Sequence, residues 1–334
     1  MSLPDFEVVC VFEDSQTVKF KASPIETLYQ AALRNGLKLE TDCREGACGV
    51  CKVHCPSGEA DLGDFSDEAL TEEEEAAGYL LSCQARARSD LELHYAYPLS
   101  LLKKTESRVE AEVVAVESWA ENVVKLVLRP QSEVSFLPGQ YANIEVPGAN
   151  ATRSFSFVNP PGCRDELEFC IRILEQGAMS DYLSQRAAPG DKLTLNAPYG
   201  QFFLRKPKGD HLLMIAGGTG IGPMLSMIEE LASAESQPQV SLLYGANCRA
   251  ELIDLEALAQ RHDWLEIRTI ARDDDTAEGG FVTELIDENS LPEPSATEIY
   301  LCGPPPMIEA ARSSLLKLDV SPEKIFAEKF IPAS

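Results

Sequence analysis

Three cysteines, Cys43, Cys48 and Cys51, set four and then two residues apart, constrain this chain more than any other feature. The residues between them are Arg44-Glu45-Gly46-Ala47 and Gly49-Val50, and a fourth cysteine follows in Leu80-Leu81-Ser82-Cys83-Gln84. Small residues at 46, 47 and 49 let a loop turn tightly over a compact inorganic core and aim backbone N–H groups at sulfur. The spacing predicts that Cys43, Cys48, Cys51 and Cys83 hold a [2Fe–2S] cluster as thiolates. The N–H groups would stabilise the extra negative charge of the reduced cluster, so the loop that holds the metal also helps to set its potential.

Other metal and sulfur chemistries fit less well. Cys55-Pro56 matches the end of a four-iron run, but that run needs two residues between its first two cysteines, where this chain has four. Cys55 is therefore expected to be a bystander. A zinc ribbon requires two paired C-x2-C knuckles, and Cys83 has no nearby second cysteine. Disulfides would need an oxidising compartment. The opening Met1-Ser2-Leu3-Pro4-Asp5 lacks a basic and apolar leader, so the expectation is a cytoplasmic protein with reduced thiols.

A length of 334 residues suits about two or three domains. No apolar run approaches the roughly 18 residues of a membrane span, so no membrane is expected as a partner. The formal net charge of -25 repels phosphate backbones and argues against nucleic acid. It favours either a basic protein surface or simple solubility.

Along the chain, Val8 to Phe12 and Val18 to Phe20 read as a strand pair about a turn at 13–15. Ser23-Pro24-Ile25-Glu26 resembles a helix start, with Leu28, Ala31, Ala32 and Leu33 as its apolar face and Asn35-Gly36 as its end. The cysteine loop follows, then a strand at 52–54. The acidic stretch from Asp61 to Glu75 is a solvated face or, beside the cluster, a docking surface. Strand, helix, loop and strand form a compact module over 1–98, and 99–107 reads as a linker. From 108 to 207 short alternating strands punctuated by Pro-Gly turns suggest a small closed antiparallel barrel. From 208 to 334 strands alternate with helices, as in a doubly wound parallel sheet.

In that last region Leu212 to Ala216 is a continuous apolar strand running into Gly217-Gly218-Thr219-Gly220-Ile221-Gly222 and a helix. Such a turn sets free N–H groups and a positive helix end against a phosphate. The glycines run G-x-G-x-G, and no acidic residue closes the next strand at Tyr244-Gly245-Ala246, which disfavours the common dehydrogenase pattern. Cys302-Gly303-Pro304 ends a later strand, where α/β sheets bind ligands. A cysteine there can pack on a nicotinamide ring, and a buried structural thiol is the alternative.

Four motifs in order, Arg153-Ser154-Phe155-Ser156, Gly177-Ala178-Met179-Ser180, Gly217 to Pro223 and Cys302-Gly303-Pro304, resemble the ferredoxin–NADP⁺ reductase superfamily. With the N-terminal cysteine loop, whose spacing is that of plant-type ferredoxins, the whole chain resembles the reductase components of ring-hydroxylating dioxygenases, in particular the benzoate, toluate and anthranilate 1,2-dioxygenase group. The resemblance implies a multidomain protein: a β-grasp ferredoxin-like α+β domain, an antiparallel β-barrel FAD domain and an α/β NAD(H) domain. It implies electron flow from NADH through FAD and the cluster to a terminal oxygenase, and the chain is expected to act as a cytoplasmic monomer. Arg153 would pair with the FAD pyrophosphate, Ser154 would line the same site, and Ser156 would bond near flavin N5. Phe155 stands where the family has Tyr, so one hydroxyl contact is missing. Gly177, Met179 and Ser180 would offer N–H groups to the pyrophosphate, and Gly217, Gly218, Thr219, Gly220, Gly303 and Pro304 would hold the dinucleotide. Cys302 would lie by nicotinamide C4. Phe330 would cover the flavin with Glu328 nearby, though either could be structural. A reductase for a diiron monooxygenase is the nearest alternative, and a carrier with vestigial nucleotide domains is a more distant one. Four histidines in total, with no clustered His-carboxylate triad, leave no oxygenase iron site in this chain.

Overall fold

A computed structural model describes residues 5–103, 106–162, 165–273 and 279–331. The chain forms two compact units, one of residues 1–106 with Tyr199–Gln201, the other of 107–198 with 202–334.

In the first unit, β1 (Phe6–Phe12) and β2 (Thr17–Ala22) form the expected hairpin, followed by α1 (Leu28–Arg34). Then come β3 (Lys52–Ser57), β4 (Ala60–Asp61), α2 (Glu72–Ala76), β5 (Tyr79–Leu81), β6 (Arg86–Ala87) and β7 (Leu91–Tyr95). The main sheet runs β2-β1-β7-β3-β5, with β7 parallel to β1 and antiparallel to β3. This is the β-grasp arrangement, with Leu28, Ala31 and Ala32 of α1 buried.

Two local expectations change. The helix starts later than Ser23, because Thr27 and Gln30 make the reciprocal capping box. Glu26 does bond the Ser23 N–H, at 2.9 Å, but within a turn that precedes the helix. Leu33 lies on the outer face, 49 % exposed. The stretch 99–107 is more than a linker: Leu99–Lys103 forms a 3-10 turn with Leu101 buried, and Ser107 already opens a strand. Lys104 of that stretch lies outside the described residues.

The second unit begins with β8 (Ser107–Ala120), β9 (Val123–Pro130), β10 (Tyr141–Glu145), β11 (Thr152–Ser156) and β12 (Leu167–Arg172). After α3 (Ala178–Gln185) comes β13 (Lys192–Tyr199). These strands order as β11-β10-β13-β8-β9-β12. Phe157 and Phe169 bridge the two edges, and the Val158 N–H bonds the Glu168 carbonyl, so the antiparallel sheet closes on a core of Leu126, Leu128, Ile144, Phe157 and Phe169.

The same unit continues with β14 (His211–Gly217), α4 (Ile221–Ala232), β15 (Gln239–Cys248), α5 (Glu256–Arg261) and β16 (Leu265–Asp273). It ends with β17 (Glu298–Gly303), α6 (Pro305–Lys317) and β18 (Ile325–Lys329). The sheet is parallel throughout in the order β16-β15-β14-β17-β18. Leu212, Met214 and Ala216 face one core, and Leu213 and Ile215 face the other, so β14 is buried on both sides. One more strand exists than the sequence suggested, because β18 is a short edge strand with only Ile325 fully buried. Strand addition runs outward from β14 through β15 to β16 and then switches to the other side with β17 and β18. Such a switch point, here between the ends of β14 and β17 at Gly217 and Cys302-Gly303, is where open α/β sheets form a ligand crevice.

Candidate functional site

In the first unit the four predicted cysteines come together as two sulfur pairs. Cys51 and Cys83 Sγ stand 3.2 Å apart, and the Cys43 and Cys48 thiols are within hydrogen-bonding reach of each other. A two-iron cluster needs two thiolates on each iron, and two pairs meet that need. Among the described residues no three His, Cys, Asp or Glu side chains are grouped to hold a single ion. The Glu45 N–H points at Cys43 Sγ from 3.4 Å. With the Cys48 thiol as the largest influence, it and the N–H groups of Ala47 and Cys48 pull the Cys43 thiol down to about 5. The Cys51 sulfur, the Gly46 N–H and the Gln84 amide pull Cys83 down to about 7. Their partners Cys48 and Cys51 are pushed up, first by those neighbouring sulfurs and then by burial. A loop that aims donors at sulfur favours thiolate, the form that ligates iron.

Gly46 makes that loop possible. Its φ is +75°, and a Cβ there would lie 2.5 Å from the Asp64 carbonyl. Cys55 stands apart on β3, its thiol donating to the Ser57 carbonyl at 3.3 Å. The acid run Glu72 to Glu75 forms the first turn of α2, where the positive helix end and the Thr71–Glu74 capping box favour it. Glu74 also pairs with Lys52 at 2.5 Å.

In the second unit Arg153 and Phe155 alternate with Ser154 and Ser156 along β11. Arg153 is half-buried, with one guanidinium N–H on the Thr152 carbonyl. Phe155 packs on the barrel core. Ser154 is exposed and donates to Asn143 Oδ1 at 2.6 Å, whereas Ser156 is buried. Gly177 caps α3 without a side chain, leaving first-turn N–H groups for an anion. The Met179 side chain is in the barrel core, and Ser180 Oγ accepts from the Leu174 N–H at 2.9 Å. Met179 therefore has only its backbone to offer a phosphate, whereas Ser180, accepting at Oγ, keeps its hydroxyl proton as well as its backbone N–H.

The nucleotide loop fits by close approach of two backbones. A Cβ on Gly220 would lie 2.2 Å from the Cys302 carbonyl, and one on Gly217 would lie 2.5 Å from Met307 Sδ. Gly303 is similarly hemmed in, with the Gly217 N–H 3.1 Å from its Cβ position. Gly218 differs: its φ is +55° and its Cβ position meets nothing within 4 Å. It borders open space, as a cradle for a ligand requires. Thr219 sits in the same 3-10 turn, Gly218–Gly220, and Pro304 caps α6.

The barrel and the crevice meet at the start of α4. A Cβ on Gly222 would lie 3.5 Å from both Val158 and Cys170 and 4.0 Å from the Ser156 carbonyl. The Ser226 hydroxyl donates to the Asn159 carbonyl at 2.8 Å. Cys302 is fully buried, and burial, with the Glu328 carboxylate across the β17–β18 ladder, pushes its thiol up. The Phe330 N–H bonds the Gly303 carbonyl at 2.8 Å, and the Phe330 side chain packs beside Cys302's core.

Two residues escaped the sequence reading. Phe281 is 61 % exposed next to Val282, which seats against Gly245 at the carboxyl edge of β15. Gln84 contacts both Cys83 and the cysteine loop. Neither belongs to a periodic pattern, and adjacency to Cys83 was the single sequence clue to Gln84.

Three family models cover most of the chain: a 2Fe-2S iron-sulfur cluster binding domain at 11–88, an oxidoreductase FAD-binding domain at 110–204 and an oxidoreductase NAD-binding domain at 214–313. The chain is 36% identical over 331 residues to the 2-halobenzoate 1,2-dioxygenase electron transfer component of Burkholderia cepacia, covering 96% of each. It belongs to the family of dioxygenase electron-transfer components. The anthranilate 1,2-dioxygenase electron transfer component of Acinetobacter baylyi is 35% identical, with 97% of this chain and 96% of that relative covered. The crystal structure of the Amycolatopsis cytochrome P450 reductase GcoB superposes with a TM-score of 0.73 at 30% identity, covering 98% of this chain and 100% of that one. Membership makes this chain an NADH-dependent iron–sulfur flavoprotein with FAD, a [2Fe–2S] cluster and NADH as its redox groups. The cysteine pairs, the uncapped α3 and the open Gly218 are consistent with those three groups. No described helix is long and apolar enough to cross a membrane.

Proposed function

We propose that this electron-transfer component supplies the terminal oxygenase of an aromatic ring-hydroxylating dioxygenase of the benzoate and anthranilate type. It would act as a cytoplasmic monomer with domains at 1–98, 108–207 and 208–334. The carrying observation is the convergence of Ser156, the start of α4 and the Cys302 strand end within one unit. When bound, FAD accepts a hydride from NADH and releases single electrons to the cluster.

The chain's own residues bind, orient and exclude water. Cys43 with Cys48, and Cys51 with Cys83, would be the thiolates that hold the cluster. Arg153, as a planar permanent cation, and the N–H groups at Gly177, Met179 and Ser180 hold the flavin pyrophosphate. Ser154 lines that site, and Ser156 bonds near N5, with Phe155 unable to add a hydroxyl contact. Gly217, Gly218, Thr219 and Gly220 would seat the dinucleotide against Gly303 and Pro304, with Cys302 as the residue nearest the nicotinamide. Phe330 would cover the flavin face, with Glu328 nearby. NADH is preferred over NADPH, with Arg249 the residue most able to weaken that preference.

Anaerobic titration with NADH, read by visible absorbance and EPR, tests the path. Bleaching of flavin and cluster bands with a rhombic one-electron signal is expected. Flavin bleaching without that signal refutes the ligand set, and no bleaching at all would revive a carrier. Reconstitution with purified oxygenases tests the partner: faster turnover with a diiron monooxygenase than with a benzoate-type dioxygenase would overturn it. Equal kcat/KM with NADPH would overturn the nucleotide preference.

A further inference from the structure

The residue after the last ligand cysteine is placed to act on the cluster through that ligand. Gln84 Nε2 donates to the Arg44 carbonyl at 2.9 Å and lies 3.8 Å from Cys83 Sγ. One amide group thus spans from the second residue of the cysteine loop to a ligand from the far end of the unit. Arg44 turns its backbone to φ +60°, an uncommon conformation for a residue with a side chain. Two glycines make room for Gln84. A Cβ on Gly46 would stand 3.1 Å from Gln84 Cγ, and one on Gly63 would stand 2.8 Å from the Gln84 carbonyl oxygen and 3.2 Å from its Cβ. Gln84 is half-buried, which shields the amide from competing water.

We propose that Gln84 is a positioning residue that locks Cys83 to the cysteine loop and, through its amide N–H, raises the reduction potential of the cluster. The inference rests on the [2Fe–2S] assignment to these four cysteines. A reduced cluster carries one more negative charge, spread partly onto its sulfurs. A donor aimed at a ligand sulfur therefore stabilises the reduced form more than the oxidised one. The second N–H of the same amide is fixed by the Arg44 carbonyl, so the donor is held in place before reduction.

The test is the cluster midpoint potential of the full-length holoprotein, followed by EPR during redox titration. Gln84→Met keeps length and volume and removes the donor. At fixed potential its ratio of reduced to oxidised cluster should fall about threefold, or about 28 mV at 59 mV per tenfold. Gln84→Glu, which puts an acceptor and a negative charge in the same shape, should fall further. Iron and sulfide content serves as the structural control. Equal potentials in wild type and a fully loaded variant overturn the potential-setting role, as does a rise. Loss of iron from both variants overturns it as well, leaving Gln84 a structural tie alone. Wild-type protein that binds no iron would instead refute the cluster assignment, a different outcome.

Discussion

The cysteine loop of the first unit and the glycine loop of the second solve related problems by opposite means. Both are proposed to bring backbone N–H groups against an anionic group, and both are shaped by glycines. In the cysteine loop the chemistry resides in four side chains, and Gly46 allows the backbone to wrap around them. In the nucleotide loop almost nothing chemical resides in side chains. Gly220 and Gly303 sit where two strand ends approach too closely for a Cβ, Gly217 sits under the Met307 side chain of α6, and Gly218 combines a left-handed backbone with open space. One site is specified by what its residues carry, the other by what they lack.

Removing a side chain should therefore abolish function at the first site. Cys48→Ser should lose the cluster and all electron delivery beyond flavin, while NADH still bleaches FAD. Normal iron and sulfide in that variant would sink the ligand assignment and the contrast with it. At the second site, adding a side chain should do the damage. Gly220→Ala drives a methyl to 2.2 Å from the Cys302 carbonyl. It should destabilise the second unit by about 3 kcal/mol. Gly218→Ala meets open space and should cost only the left-handed backbone strain, roughly 1–2 kcal/mol. Its larger effect should be a raised KM for NADH with the fold intact. Thermal melts and steady-state kinetics separate the two, and equal stability losses would erase the distinction drawn between these glycines.

The same contrast explains what could be read in the sequence. The cysteine spacing names its chemistry directly, and the strand hairpin and the apolar β14 follow from periodicity alone. The glycine run was weaker, because the reason for Gly220 is a carbonyl 82 residues away in sequence, at Cys302. No local rule encodes that approach. β18 escaped for a related reason: an edge strand needs pairing on one side only, so its apolar signal is faint. The start of α1 was misplaced because Ser23-x-x-Glu26 and Thr27-x-x-Gln30 both satisfy the local pattern, and only the tertiary setting chooses between them. Gln84 and Phe281 carry no pattern at all.

Acidity also sets the two units apart. In the first, burial, and then the Glu106 carboxylate, push Glu40 up to about 7, with Lys38 opposing them. A carboxyl raised on folding stabilises the fold fully below its unfolded value near 4.5, and that stability is lost as pH climbs towards 7. The rise corresponds to about 3 kcal/mol, which residual solvent contact reduces to about 2. In the second unit His211 bridges Thr297 and Ser241 at 3.2 and 3.1 Å, and burial lowers its pKa from 6.5. A histidine lowered on folding acts with the opposite sign: its contribution is complete above pH 6.5 and is lost as pH falls below that. Calorimetry of the holoprotein should show the first unit's transition falling from pH 5 to 8, and the second unit's falling from pH 7 to 5. Glu40→Gln should flatten only the first trend, gaining about 2 kcal/mol at pH 8 and nothing at pH 4. His211→Gln should flatten only the second. Parallel pH trends in the two transitions would show that these buried groups do not govern their units, whatever the fate of the loops.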